Sequence, residues 1–203
     1  MKNIKNIVRE YVSGLSDDIP DTVRTAVAAL AIVFMAFGGT IAVRADSMAT
    51  RAIDEATEAR ERQEVLWLAR ALYSETKLKE EQVLIAWVIR NRMESEKYPG
   101  TYREVVLQRN QFSGLNPSDK QYYTNIARTY GESGPGWDSA LAVADAVYHA
   151  SGVLRPIPET VTHFYSPHAV SRTPSWAADT KASHVVRDSE DKSIRFAFYD
   201  GVK

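Results

Sequence analysis

Residues 65–93, VLWLARALYSETKLKEEQVLIAWVIRNRM, hold two apolar patterns divided by a short polar turn, and their reading decides the fold. Val65, Leu68, Ala69 and Leu72 recur at helical spacing, so a helix delivers its last turn to Tyr73, Ser74 and Glu75. Thr76 to Lys79 form a polar loop. Glu80 and Glu81 then suit the start of a second helix, because acids complement the positive end of the helix dipole. Val83 to Ile89 is apolar almost without a break, so periodicity alone does not separate helix from strand. Continuation through Asn91, Arg92 and Met93 makes it long enough for a buried central helix.

Downstream, Thr101 and Glu104 form a capping box ahead of Val105, Val106 and Leu107. Ser118 and Gln121 form another, opening a helix with Tyr122, Ile126 and Tyr130 that stops at Gly131. Trp137, Leu141, Ala144 and Tyr148 mark a last long helix, closed by Gly152. After Pro158 the pattern changes. Val161, His163 and Tyr165 alternate with Thr162, Phe164 and Ser166 as in a short strand, and Arg195 to Tyr199 is a second candidate strand. Residues 65–203 therefore read as an α+β domain, mostly helical with a small β region.

Upstream, the uncharged run Thr25 to Val43, TAVAALAIVFMAFGGTIAV, spans roughly 28 Å as a helix, close to the thickness of a bilayer core. It is apolar all round, unlike a surface helix. The long segment ahead of it, residues 1–24, includes Asp17, Asp18 and Asp21 and favours an uncleaved signal-anchor over a cleaved signal peptide. Basic residues flank both ends of the run; Lys2, Lys5, Arg9 and Arg24 point to an N-terminus inside and hence a globular domain outside the membrane. Residues 44–64 are densely charged with mixed signs and rich in helix formers, which reads as a solvated helical stalk.

Composition narrows the function classes. The 203 residues carry a net charge of −1, so no global basic field draws the chain to nucleic acid. No cysteine is present, which excludes a disulfide framework, a thiolate metal site and a cysteine nucleophile.

Glu75 is the residue with the most suggestive position. A carboxyl group between an apolar helix end and a buried-looking helix can sit in a partly apolar cleft, where desolvation keeps it protonated near neutrality. A protonated carboxylic acid is what glycosidic cleavage needs to protonate the leaving oxygen. A solvated glutamate at a helix end would look the same by spacing alone.

LARALYSE (Leu68 to Glu75) followed by QVLIAWVIRNRM (Gln82 to Met93) resembles the bacterial cell-wall hydrolases of the spore-cortex-lytic SleB type. The likeness continues through YPGTYREVVLQRNQFSG (Tyr98 to Gly114), THFYSP (Thr162 to Pro167) and SWA (Ser175 to Ala177), and ends on His184-Val185 and Phe198-Tyr199. It covers Val65 to Val202 in ordered blocks and leaves residues 1–64 untouched. The resemblance implies a lysozyme-like fold that cuts the glycan strand of peptidoglycan between N-acetylmuramic acid and N-acetylglucosamine. It implies a lytic transglycosylase, with one essential glutamate that falls on Glu75 and no cofactor. Ser74, Gln111, Phe112, Ser113, His163, Tyr165 and Trp176 are the candidate substrate contacts: amide and hydroxyl groups for sugar polar atoms, flat rings for sugar faces, with core packing the competing reading of each ring and no weaker for Phe112. One departure stands out. The family's small-residue loop after the glutamate is replaced by Thr76, Lys77, Leu78 and Lys79 and is about two residues shorter, without its usual glycine and second glutamate.

Three other readings compete. A hydrolytic muramidase would need a second carboxylate, for which Asp119 and Asp179 are candidates. A zinc amidase could draw on His163 and His168, with His149 and His184 elsewhere, but their spacing is not the helical pair that puts two imidazoles on one face, so no metal is expected. A non-catalytic wall-binding tether would have no use for Glu75. The expected partners are peptidoglycan strands and, through the N-terminal helix, the membrane.

Overall fold

A computed structural model describes residues 42–202, together with residues 10, 20, 22–27 and 29. The chain divides into two compact units, residues 1–60 and 61–203. In the first, residues 22–27 are helical and the charged segment after Ala42 is helix throughout. Most of the uncharged run Thr25 to Val43 lies outside the described residues. Among those described, no helix is long and apolar enough to cross a membrane.

Helix α1 (Ala42–Glu75) ends where the sequence pattern places its end. Val65, Leu66, Leu68, Ala69, Ala71 and Leu72 are all buried, which makes the last three turns the part that packs. Full burial of a leucine such as Leu68 or Leu72 stabilises by about 1.5–3 kcal/mol. The final α1 bond runs from Thr76 N–H to the Leu72 carbonyl, and α2 (Lys79–Glu94) starts three residues later. Ten of its sixteen residues are buried, from Glu81 and Gln82 to Asn91 and Arg92. That settles the ambiguous apolar run as the central helix, packed against α5 (Trp137–His149) and the first strand.

Between them, Thr101 caps α3 (Tyr102–Val106) by accepting from Glu104 N–H at 3.1 Å, and its hydroxyl donates to the Glu104 carboxylate at 2.9 Å. The expected second capping box does not form. Helix α4 (Tyr122–Ala127) has Gln121 at its N-cap with no side-chain bond, and Asp119 instead accepts from Gln121 N–H at 2.7 Å. A carboxylate two residues before the backbone donor closes this turn and replaces the longer Ser118 cap. The helix stops at Ala127, short of Tyr130, because Arg128 turns extended and its carbonyl is taken by Arg70 at 2.9 Å. Helix α5 ends at His149, and Gly152 opens a separate 3-10 turn.

The β region is a three-stranded antiparallel sheet ordered β1-β3-β2, with β1 (Val161–Tyr165), β2 (His184–Arg187) and β3 (Ile194–Asp200). Phe164 pairs with Phe198 and Tyr165 with Ala197. The edge strand β2 was not foreseen: four residues with both ends exposed carry no readable period. Helix α6 (Ser175–Ala178) precedes it. The result is the mixed α+β, helix-rich architecture expected of residues 65–203.

Candidate functional site

Glu75 is placed by the turn that follows it. The Thr76 hydroxyl accepts from Leu78 N–H at 3.2 Å and donates to the buried carboxylate of Glu81. Arg195, from β3, pairs with that same carboxylate. Gln82, fully buried, donates to the carbonyls of Thr76 at 3.1 Å and Gly136 at 3.0 Å, and accepts from Ser139 at 2.7 Å. Gly136 sits at φ +77°, where a Cβ would lie 2.9 Å from the Cβ of Lys77, so only glycine fits this approach. The short, glycine-free loop after Glu75 is thus tied to α2, α5 and β3 by side-chain bonds.

A second contact steadies the last turn of α1. Gly114 of the QFSG segment lies against Ser74: a Cβ there would be 2.9 Å from the Ser74 Cβ and 2.9 Å from Asn125 Nδ2. Asn125, itself buried, donates to the Gly114 carbonyl at 2.9 Å. The Ser74 hydroxyl donates back to the Ala71 carbonyl at 2.8 Å, so its structural role is already occupied.

Glu75 itself is half-buried. Desolvation raises its pKa to about 7, against the opposing pull of Arg92 first and Lys77 second. Among the described residues, the charges acting on it are these two cations and no carboxylate. Lys77 lies over the Tyr73 ring, 3.4 Å from its centroid, and donates to the Tyr73 carbonyl. Arg128 covers the same ring at 4.0 Å and donates to its hydroxyl at 2.8 Å. Arg92 is buried, and its Nε donates to the Thr162 carbonyl at 2.6 Å, joining α2 to β1.

On β1, His163 and Tyr165 share a face. Trp176 from α6 packs on both, 5.1 Å from the imidazole and 5.8 Å from the phenol ring. Tyr199 of β3 stacks on Tyr165 at 5.9 Å and meets Trp176 at 5.4 Å. Three of the expected contacts, His163, Tyr165 and Trp176, therefore form one half-buried aromatic platform. Tyr199, itself buried, backs it; in the sequence it stands in the second candidate strand and at the end of the family resemblance. The pKa of His163 is held low by burial and by the charge of Arg92, which acts on Glu75 as well.

Phe112 needs a correction. It is 1% exposed and packs on Phe164 at 6.2 Å, so its ring belongs to the core and offers no face to a sugar. Gln111 and Ser113 flank it on the exposed side of the same loop. Of the candidate second carboxylates, Asp119 closes the turn before α4, and Asp179 is exposed at the end of α6. The histidines stay apart in their bonding: His163 Nδ1 meets the Thr162 hydroxyl at 3.0 Å, His168 Nε2 the Ser193 hydroxyl at 3.2 Å. Among the described residues, no three His, Asp or Glu side chains gather to hold a metal ion. A cavity of about 400 Å³ opens at the end of α2, lined by Asn91, Tyr98, Thr162 and Val202 among others, and does not include Glu75.

Arg92, Glu81 and Arg195 were not singled out beforehand. Arg92 reads as an ordinary cation in the last turn of a helix, and Glu81 as an acid in the first turn of one. Their partners lie far away in the chain, where no local pattern points.

Comparison with known proteins adds one match. The profile of the family described as Cell Wall Hydrolase fits residues 76–189, more than half of the chain, and begins at the residue after Glu75. No curated protein and no solved structure matches the chain.

Proposed function

Since the chain belongs to the cell wall hydrolase family, whose substrate is peptidoglycan, we propose that it cleaves the glycan strand between N-acetylmuramic acid and N-acetylglucosamine as a lytic transglycosylase. The observation that carries this reading is a single half-buried carboxyl, Glu75, with its pKa raised to about 7 and, among the described residues, no carboxylate acting on it. In the first step Glu75 gives its proton to the glycosidic oxygen as the bond to the muramic C1 breaks and oxocarbenium character develops there. The carboxylate left behind takes the proton of the same sugar's 6-hydroxyl, whose oxygen bonds to C1. The 1,6-anhydro ring closes and Glu75 is protonated again. The platform of His163, Tyr165 and Trp176, backed by buried Tyr199, supports a sugar face, and exposed Gln111 and Ser113 offer polar groups at a nearby loop.

A hydrolytic muramidase is the second reading. Mass spectrometry of muropeptides released from purified wall separates the two. The proposal expects 1,6-anhydromuramic ends, about 18 mass units below the hydrolytic product because no water is added. Reducing muramic ends would replace it with the hydrolytic reading and make Asp119 and Asp179 the first residues to mutate. Retained activity under a chelator separates both from a zinc amidase.

The uncharged run Thr25 to Val43 supports a further proposal, that the chain is held in the membrane with the wall-cleaving unit outside. Fractionation of the full chain and of a chain lacking residues 1–44 tests it: only the full chain should sediment with membranes, while both cleave isolated wall.

A further inference from the structure

The proposed reaction asks one carboxyl to be protonated in its first step and ionised in its second. A half-buried carboxylate with no counter-charge is costly. Arg92 supplies what that carboxylate lacks. Its side chain is 3% exposed, with Cζ 5.5 Å from the Tyr98 ring centroid and 5.8 Å from that of Phe112. Nε is committed to the Thr162 carbonyl. Nη1 is buried with no hydrogen-bond partner among the described residues. A charged donor left open in the interior is expensive if its work is structural alone, because its desolvation is uncompensated.

The neighbouring charges narrow what that donor serves. Two cations act on Glu75, Arg92 more strongly than Lys77. Lys77 is already bound to the Tyr73 carbonyl, lies on the Tyr73 ring, and is opposed by Arg128. On the side of β1, Arg92 acts on His163. Besides Glu75, Tyr98 is the group whose charge acts on Arg92 itself. The packing agrees: Arg92 lies over the Phe112 ring, and two residues on, Gly114 seats against Ser74, the neighbour of Glu75. Glu75 is thus the carboxylate that this open guanidinium N–H can serve among the described residues.

We propose that Arg92 is a positioning residue of the site, whose open Nη1 receives the ionised Glu75 and holds it as a carboxylate between the acid step and the base step. The proposal rests on the reading of Glu75 as the acid–base. It asks no contact with substrate of Arg92. Because Nε also holds Thr162, the same guanidinium sets the register of Glu75 against the strand that bears His163 and Tyr165.

The test follows the Glu75 carboxyl by ¹³C NMR across pH in the full chain, with folding checked by thermal unfolding. In Arg92→Gln the midpoint should rise by about one pH unit, as expected when a close opposite charge is removed. In Arg92→Lys, which keeps the charge, it should lie between Arg92→Gln and the unmodified chain. Equal midpoints in all three folded proteins would leave Arg92 a merely structural role and overturn the proposal. Should the Arg92 variants fail to fold, the guanidinium ¹⁵N resonances of Arg92 in the unmodified chain carry the test. They should shift with the Glu75 midpoint and stay flat across that range in Glu75→Gln, whereas a flat response in both proteins overturns the proposal. Activity is read separately: a fully active, folded Glu75→Gln defeats the acid–base reading even where the midpoints show the pairing.

Discussion

Arg195 on the central strand grips the carboxylate of Glu81 in the first turn of α2, two residues 114 positions apart in the chain. Glu81 is 1% exposed on its side chain and Arg195 36%, so the pair is buried at one end only. The carboxylate also takes the Thr76 hydroxyl, and Thr76 is the neighbour of Glu75. A bond between sheet and helix thereby sets where the Glu75 carboxyl stands.

Removing Arg195 should therefore affect stability and activity together. Arg195→Met takes the counter-ion from the buried Glu81 carboxylate and leaves it only the Thr76 hydroxyl. We expect a loss of about 3 kcal/mol, the low end for a broken buried pair because Arg195 keeps part of its side chain in water. Denaturant unfolding measures it. The double variant Glu81→Gln, Arg195→Met should recover part of the loss, since the orphaned charge is gone. Additive losses would mean that the two residues are not coupled.

Glu75→Gln should cost activity and raise stability above neutrality. On the proposed mechanism, in which Glu75 serves as both acid and base, its loss should cost on the order of 10⁴-fold in activity, the upper end for one such group. The folded-state pKa of about 7 lies above the ordinary 4.5, so the folded protein binds the proton more tightly than the unfolded chain. Stability from this group is fully present below pH 4.5 and falls as pH rises through about 7. Glutamine has no proton to lose. Its unfolding curves should match the unmodified protein at pH 4 and show an advantage on the order of 3 kcal/mol at pH 8. The activity of the unmodified enzyme should decline above about pH 7 as the acid form is lost.

Gly114→Ala probes the seat of the last turn of α1. The added methyl would lie 2.9 Å from both the Ser74 Cβ and Asn125 Nδ2, inside any normal contact. Overpacking of this kind costs about 1–3 kcal/mol, and here it also shifts the residue beside Glu75. Gly100→Ala, with nothing within 4 Å of the new methyl, is the control and should stay within about 0.5 kcal/mol. Equal effects of the two would remove the Ser74–Gly114 contact from the account.

Trp176→Ala should weaken substrate binding more than turnover. The indole packs on His163, Tyr165 and Tyr199 and comes from a different element than Glu75. With soluble glycan fragments we expect KM to rise about tenfold, ~1.4 kcal/mol, with kcat within about twofold. A kcat loss at constant KM would place Trp176 in the reacting step instead.

Much of this arrangement is visible in the sequence where the physics is local. The end of α1 at Glu75 follows from Val65, Leu68, Ala69 and Leu72, and the first strand from the alternation around His163 and Tyr165. Long-range pairings are not local. Nothing near Glu81 announces Arg195, and nothing near Arg92 announces Thr162, because a salt bridge or a side-chain bond to a carbonyl imposes no period on either segment. Phe112 shows a related limit: an aromatic beside two polar residues reads equally as a binding loop or as core, and its ring turns inward to Phe164 while Gln111 and Ser113 stay outside.

The strand order β1-β3-β2 also fixes a sequence of events in time. The middle strand is the last of the three to leave the ribosome, so neither β1 nor β2 has a ladder partner before residues 194–200 exist. Arg195 arrives in that same final stretch, and until it does Glu81 has no counter-ion. A nascent chain can form its helices early, as local contacts allow. The seat of Glu75, however, is complete only once that strand is in place, so a partly made copy carries the glutamate without the bonds that hold its neighbour Thr76.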